Sequence, residues 1–196
     1  MNQARLPIAV LVSGTGTNLQ ALIDQVHGRE ATIVAVASNV PDAPALKRAE
    51  KHGIPWAVFA RKQYIDRQER DEAMAEWLGE HRAGLIVLAG FMELLSEQFL
   101  KRFPNSVVNV HPSLLPAYPG PHPIDDALAD GAEEFGVTVH YVDAGIDTGP
   151  IIRQESVRLS GAKDPDQVLR RLRPIEHMLL PLVVKEIAEG RQSVAA

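Results

Sequence analysis

The sequence predicts an α/β protein with a Rossmann-like open twisted sheet, mostly parallel with an antiparallel carboxy-terminal part, and helices on both faces. Five apolar runs of strand length, with helical stretches between them, begin at Ile8, Thr32, Trp56, Leu85 and Val107. Such near-continuous β-branched runs are typical of strands covered on both faces. Two later runs, from Val137 and Ile151, are joined by only the eight residues 143–150. That connection is too short for a crossover helix, so these two strands are expected to be antiparallel.

The helices between the runs follow from local patterns. The loop after the first run leads into a helix for which Thr17 is the predicted N-cap. Residues 67–82 predict a surface helix, because apolar side chains recur there at helical spacing among charged neighbours. One buried stripe is indicated by Met74, Trp77, Leu78 and His81, and His81 among them is expected to be structural or exposed. A short helix is predicted within HPIDDALADG, and the last long helix is expected to begin near Asp164.

Composition limits both the architecture and the function. At 196 residues and 45% hydrophobic, the chain is long enough for one sizeable core. We therefore expect a single domain over 1–196. No apolar run approaches the roughly 20 residues of a membrane span, and the first residues lack the apolar core of a signal peptide. The expected location is the cytoplasm, without membrane partners.

Charge and residue usage exclude several kinds of site. The net charge of −5 argues against a general nucleic-acid binder, which needs a basic face, so small-molecule substrates are favoured. The absence of cysteine excludes disulfides, thiolate nucleophiles and Cys-based metal sites. His111 and His122 lack the helical i, i+4 spacing of a zinc motif, and no metal is expected. His140 and His177 are left as residues that line a site or pack beside it.

A glycine-bearing loop follows the first strand. In SGTGTNLQ, Gly14 and Gly16 would let the backbone approach an anion, and the N–H groups at the start of the next helix suit a phosphate. A third glycine of the dinucleotide fingerprint is missing, since Leu19 occupies its position. The loop therefore favours a phosphate monoester over a dinucleotide, although a plain strand-to-helix turn remains an alternative.

A second polar stretch, NVHPSLLPAYPG, follows the fifth apolar run. Asn109 and His111 are two residues apart, so on an extended strand end their side chains point to the same side. Pro112, Pro116 and Pro119 each fix φ and would stiffen a loop beside a ligand. Ligands of open α/β sheets bind beyond the carboxyl ends of strands, which makes this pair a candidate site.

A third stretch, DAGIDTGP, joins the two late strands. Asp147 within it is, taken alone, most simply a residue of an Asx-turn. Its combination with Asn109 and His111 makes it a candidate for catalysis.

These stretches together carry a resemblance. The set SGTGTNLQ, LAGFMELLS, NVHPSLLPAYPGPH, TVHYVDAGIDTGPII and IEHMLLPLV, in this order, resembles the folate-dependent formyltransferases, and among them the phosphoribosylglycinamide formyltransferases of purine synthesis. The resemblance extends from Ile8 to about Gly190 and implies an amino-terminal phosphate-binding half at about 8–105 and a catalytic and folate-binding half at about 106–190. It implies formyl transfer from 10-formyltetrahydrofolate, as co-substrate, to glycinamide ribonucleotide. It leaves a homodimer open.

The resemblance also implies the site residues. The catalytic trio would be Asn109, His111 and Asp147. The substrate phosphate would lie against Gly16, Thr17 and Asn18, and its ribose hydroxyls against Glu176. The folate would contact, largely through backbone, Arg67, Met92, Glu93, Leu94, Leu95, Asn109, Asp143, Ala144, Gly145, Ile146 and Asp147. Glu93 departs from the arginine of many relatives, and Arg173 from an uncharged residue near the ribose.

The expected chemistry explains these residue types. As the amine attacks the formyl carbon, the carbonyl oxygen gains negative charge, which Asn109 can stabilise without titrating and protonated His111 can stabilise as a second donor. Asp147 would favour the imidazolium and orient a water that relays the proton to the leaving folate nitrogen.

Other functions remain open on the sequence alone. A formyltetrahydrofolate hydrolase or an amino-sugar formyltransferase could share the trio, although the hydrolase is expected to carry an amino-terminal domain for which the residues before Ile8 leave no room. Transfer to initiator tRNA would call for a basic RNA-binding domain that this sequence lacks. A non-catalytic nucleotide-binding protein is the alternative from another class, because a fold does not determine a function.

Overall fold

A seven-stranded sheet forms the centre of the molecule, in a computed structural model that describes residues 5–191. The strands are β1 (Leu6–Val12), β2 (Ala31–Ser38), β3 (Trp56–Val58), β4 (Leu85–Leu88), β5 (Val107–His111), β6 (Glu134–Tyr141) and β7 (Ile151–Arg158). The helices are α1 (Thr17–Gln25), α2 (Pro44–Lys51), α3 (Arg67–Glu80), α4 (Glu97–Arg102), α5 (Pro123–Ala129) and α6 (Pro165–Ala188). A short 3₁₀ turn lies at Arg61–Gln63.

The sheet has the mixed topology that the sequence predicts. Its strand order is β3-β2-β1-β4-β5-β6-β7. The pairs from β3 to β5 are parallel, whereas β5 with β6 and β6 with β7 are antiparallel. The predicted fold class is therefore confirmed, and the antiparallel part begins one strand earlier than the β6–β7 pair that the short connection indicated.

Two apolar layers cover the sheet. On one face, side chains of α1, α2, α5 and α6 pack against alternate residues of the strands, as Leu22 and Leu180 illustrate. On the other face, α3 and α4 do the same with Met74, Leu78 and Phe99. Burial of both faces explains why the central strands are apolar at almost every position rather than at every second one.

Helix starts follow the sequence with one exception. Helix α6 begins next to Asp164, as predicted, and Asp164 caps it by accepting a hydrogen bond from the N–H of Asp166 at 3.0 Å. The prediction that Thr17 caps α1 is wrong, because the helix already begins at Thr17 and Gly16 is its N-cap residue, with no side-chain cap. Gly16 has a φ of 72°, and an added Cβ would lie 2.6 Å from the Cβ of Ala45. The chain turns here through a left-handed conformation that favours glycine.

Helix α3 departs from a simple amphipathic pattern. Met74 and Leu78 are buried as predicted, whereas Trp77 and His81 are only half-buried. Arg70 and Asp71 are fully buried beside them. None of the helices between residues 5 and 191 has the length and apolar character to span a bilayer.

Candidate active site

A cavity of about 320 Å³ opens where β4 and β5 end and the β6–β7 loop folds over them. Its walls are largely apolar, and a few polar groups converge at one end, which is the usual build of a small-molecule site. The lining residues from the predicted set are Met92, Glu93, Leu94, Leu95, Asn109, His111, Asp143, Gly145, Ile146 and Asp147.

The predicted trio meets at the polar end of this cavity. Oδ2 of Asp147 lies 3.5 Å from Nδ1 of His111, and Oδ1 lies 3.5 Å from Nδ2 of Asn109. Asn109 and His111 therefore face the same side of β5, as their spacing predicts. Asn109 and Asp147 are 38 positions apart in sequence, and they meet because the β6–β7 loop folds back onto the end of β5.

The two ring nitrogens of His111 have different partners. Nε2 lies 2.9 Å from the carbonyl oxygen of Tyr118, so it carries a hydrogen and donates to that oxygen. Nδ1 faces the Asp147 carboxylate at a distance too long for a full hydrogen bond. With Nε2 engaged by Tyr118, Nδ1 is the ring nitrogen left to act on a group in the cavity.

His140 joins the trio from β6, where it pairs with Asn109 across the sheet. Its Nδ1 lies 2.8 Å from the carbonyl oxygen of Tyr141, which leaves Nε2 to face Asn109 Nδ2 at 3.3 Å and Asp147 Oδ1 at 3.6 Å. The sequence did not decide whether His140 lines a site or packs beside one. A histidine within an otherwise apolar strand was a signal that pointed to the site. His177 does not line the cavity.

Asp147 is held in its charged form. Burial acts to raise the pKa of this carboxyl, but the ring of His140, the N–H of Gly120 at 2.8 Å and the charge of His111 together hold the pKa below its usual range. The Asx-turn role that the sequence suggested for Asp147 belongs instead to Asp143. Oδ1 of Asp143 accepts from the N–H of Gly145 at 3.0 Å and from Thr148 Oγ1 at 2.7 Å.

This lowered pKa predicts a pH-dependent stability. The stabilisation from charged Asp147 is complete above the ordinary carboxyl pKa of about 4 and is lost as the pH falls through the lower folded value. We therefore expect Asp147→Asn to be less stable than the wild type at pH 6, with the difference closing below about pH 4. Thermal melts from pH 3 to 6 test this, and a stability gap independent of pH would contradict it.

Comparison with known proteins identifies the family. Residues 6–184 match the family model described as Formyl transferase. The chain belongs to the formyl transferase family.

Relatives of this formyl transferase share most of its length. Phosphoribosylglycinamide formyltransferase of Haemophilus influenzae is 42% identical over 94% of this chain and 88% of that protein. Trifunctional purine biosynthetic protein adenosine-3 of Drosophila melanogaster is 42% identical over 97% of this chain, which spans only 14% of that longer protein. The crystal structure of glycinamide ribonucleotide transformylase 1 from Symbiobacterium toebii superposes with a TM-score of 0.94 at 38% identity, covering 98% of this chain and 92% of that one.

A second polar locus of the formyl transferase lies between α1 and α6. Asn18 Nδ2 donates to Glu176 Oε2 at 3.3 Å, and both side chains are buried. Burial raises the pKa of Glu176, and the hydrogen bond from Asn18 and the charge of Arg173 oppose this only in part. Among the residues described, Asn18 Oδ1 is buried without a hydrogen-bond partner. The locus is therefore a polar site with an unmet acceptor, beside the predicted phosphate loop.

The raised pKa of Glu176 predicts a stability cost at high pH. Its charged form is disfavoured in the fold, so the wild type loses stability as the pH rises from about 4.3 through the folded pKa. Glu176→Gln avoids this loss and can donate to Asn18 Oδ1. We expect a stability gain of about 1 kcal/mol at pH 8, or roughly 3 °C in Tm. Melts at pH 4 and pH 8 test the sign, and a variant less stable than the wild type at pH 8 would refute it.

Two predicted folate residues lie outside the cavity lining. Arg67 is the exposed first residue of α3, and Ala144 is exposed in the β6–β7 loop. Gly16, Thr17, Asn18 and Glu176 also lie away from this cavity, in the locus between α1 and α6. Within residues 5–191, His, Asp and Glu side chains form no group of three or more arranged to hold a metal ion.

Proposed function

We propose that this chain transfers the formyl group of 10-formyltetrahydrofolate to the amine of N1-(5-phospho-D-ribosyl)glycinamide, giving the N-formyl product and tetrahydrofolate in de novo purine synthesis. The observation that carries the proposal is the meeting of Asn109, His111 and Asp147 at the polar end of an apolar cavity. It is supported by the 42% identity to the phosphoribosylglycinamide formyltransferase of Haemophilus influenzae.

The cavity fits a folate that delivers its formyl group to the trio. Its rim carries the exposed apolar side chains of Met92, Leu94 and Ile146, which suit a flat aromatic ligand. Backbone of 92–95 and 143–147 would supply the polar contacts to the pterin. Arg67, exposed and outside the cavity, would meet the distal end of the folate rather than the pterin.

The amine substrate would bind on the side of the glycine loop. The phosphate would lie against Gly16, Thr17 and Asn18, where the start of α1 offers N–H groups to an anion. Glu176 would accept hydrogen bonds from the ribose hydroxyls, which also compensates for its burial. In this arrangement the amino-terminal half, at about 8–105, supplies the phosphate site, and the half at about 106–190 supplies the trio and the ribose acid. Folate contacts come from both halves.

The trio would act on the oxygen and the proton of the reaction. Asn109 Nδ2 is only weakly engaged, at 3.3 Å and 3.5 Å from its neighbours, so it can turn to the developing oxyanion. In its protonated form, His111 would supply a second donor through Nδ1–H, since Nε2 is occupied by Tyr118. The amine nitrogen would bond to the formyl carbon to give a tetrahedral intermediate, and collapse of that intermediate would break the bond from the carbon to the folate nitrogen. Asp147 would orient a water that carries the proton from the amine to that nitrogen.

Absorbance-monitored turnover tests the proposal. 10-Formyltetrahydrofolate is supplied with and without the ribonucleotide, to the wild type, to His111→Ala, and to His52→Ala as a matched variant on the exposed end of α2. We expect folate product only with the ribonucleotide, in the wild type and His52→Ala. Release without the ribonucleotide would favour a hydrolase, and no release would overturn the proposal.

A further inference from the structure

A buried group of charged side chains lies behind the cavity wall. Arg70 and Asp71, on α3, are both fully buried, and neither lines the cavity. Burying an ion pair seldom increases stability, because the cost of desolvation offsets the attraction between the charges. Their position therefore indicates a role other than adding stability.

Arg70 and Asp71 grip the segment 90–96 that forms one wall of the cavity. The guanidinium donates to Oδ1 of Asp71 from Nε at 2.9 Å and from Nη2 at 2.7 Å. Its Nη1 donates to the carboxylate of Glu93, and Nη2 reaches the carbonyl oxygen of Leu94 at 3.4 Å. Oδ2 of Asp71 accepts from the N–H of Ser96 at 2.6 Å. One arginine and its partner thus hold both the middle and the end of the wall.

The same wall is held from the opposite side. Asn39 Nδ2 donates to the second oxygen of Glu93 at 3.0 Å, and Asn39 Oδ1 accepts from Ser13 Oγ at 2.6 Å. Ser13 in turn accepts from the N–H of Met92 at 2.8 Å, and its own N–H donates to the carbonyl oxygen of Gly90 at 3.1 Å. Because Ser13 begins the glycine loop, the contacts join that loop to the wall.

We propose that Arg70 is a positioning residue for the folate. Through Glu93, Asp71 and the carbonyl of Leu94, it holds the backbone of 90–96 in the shape that receives the pterin. The side chain of Glu93 faces Arg70 and Asn39, so its role is to hold the wall in place through these two contacts. The proposal rests on the proposed function, because it assigns the wall to folate binding.

Preorganisation explains why such a costly group would be retained. In this proposal the wall binds the folate largely through backbone N–H and C=O groups. The positions of these groups are set by the contacts that hold the backbone of 90–96 in place. A segment that is already ordered loses less conformational freedom on binding, so its affinity is higher. Met92 and Leu94 are exposed, and apolar packing alone would hold the segment only at Phe91 and Leu95.

Arg70→Met tests the proposal, because methionine fills part of the space but donates nothing. We expect the KM for 10-formyl-5,8-dideazafolate to rise about 10-fold, below the roughly 100-fold loss that a 1 Å misplacement of reacting groups can cause. We expect kcat and the KM for the ribonucleotide to stay within about twofold. Titration calorimetry with the same dideazafolate should show a matching rise in Kd without any turnover.

Two further variants keep the result interpretable. Arg70→Lys keeps the positive charge, so it serves if Arg70→Met does not fold. Its single ammonium group cannot contact Asp71, Glu93 and the carbonyl of Leu94 at the same time. Its Kd should rise by about threefold, between those of the wild type and Arg70→Met. Arg153→Met is the control, because Arg153 makes an equivalent two-point contact with Glu186, at 2.9 Å and 2.6 Å, away from the cavity. It should leave the dideazafolate Kd unchanged.

The outcomes separate this inference from the proposed function. If the wild type does not bind the dideazafolate, the proposed function fails. If the wild type binds it and the Arg70 variants bind equally well while their Tm falls, Arg70 only stabilises the fold and the inference is overturned. A rise in Kd that Arg153→Met does not share supports it.

Discussion

The Asn109→Ala variant is expected to fold normally and to lose roughly 100- to 1,000-fold in kcat, or about 3 to 4 kcal/mol of transition-state stabilisation. The side chain is half-buried at the end of β5, and its amide makes only long contacts to His140 and Asp147. Its removal therefore costs the fold little. The proposed reaction, however, loses a donor where negative charge develops. Steady-state kcat together with a thermal melt measures both effects.

Asn109→Asp separates the effect of losing the amide N–H donor from the effect of changing the side-chain size. Aspartate has nearly the same size as asparagine but offers no N–H, and its charge would lie where the oxyanion forms. We expect it to be at least as inactive as the alanine variant. Because an amide does not titrate, the loss in Asn109→Ala should be the same across the neutral pH range. Near-full activity in the aspartate variant would show that Asn109 is not the oxyanion donor.

Gly149→Ala is expected to have the second large effect. A Cβ at Gly149 would lie 1.9 Å from the carbonyl oxygen of Tyr141 and 2.8 Å from its carbonyl carbon. This is backbone that cannot yield easily, because the N–H of Tyr141 donates to the carbonyl oxygen of Pro150 at 2.9 Å and pins the same strand ends together. We expect a loss of about 4 kcal/mol in the free energy of unfolding, through displacement of the β6–β7 loop.

The displaced β6–β7 loop of Gly149→Ala should also reduce activity. Asp147 lies two residues before Gly149, so its carboxylate would move away from His111, and kcat should drop about 100-fold even in the folded fraction. Gly79→Ala is the matched control, since a Cβ there meets nothing within 4 Å and alanine favours the helix. It should be as stable as the wild type or more so by up to about 1 kcal/mol. If Gly149→Ala behaves like this control, the steric argument is wrong.

The sequence was sufficient for much of the architecture. Runs such as the one from Ile8 indicate strands buried on both faces, because they are short, rich in β-branched residues and apolar at nearly every position. The short link 143–150 indicated the antiparallel β6–β7 pair. The spacing of Asn109 and His111 also placed both on one side of a strand, because side chains alternate along extended backbone.

The structure differs from the sequence-based predictions where contacts with distant segments determine the burial or conformation of a residue. Helix α3 looked like a surface helix with charges towards water, yet Arg70 is buried because Glu93 and Leu94 reach it from another element. Thr17 resembled a cap, yet the close approach of Ala45 favours glycine one residue earlier. Asp147 looked like a turn residue, and only the folded loop places it against His111 and His140.

The sequence by itself determined the strands and most helices, because periodicity and chain reach are local properties, and its resemblance to the folate-dependent formyltransferases named the candidate trio. Tertiary structure alone decided that His140 completes the polar end of the cavity, that Glu176 is buried against Asn18, and that Arg70 holds the wall. Those facts depend on strand register and on packing between elements far apart in the chain, where the energy of a polar group is set by partners that no local pattern specifies.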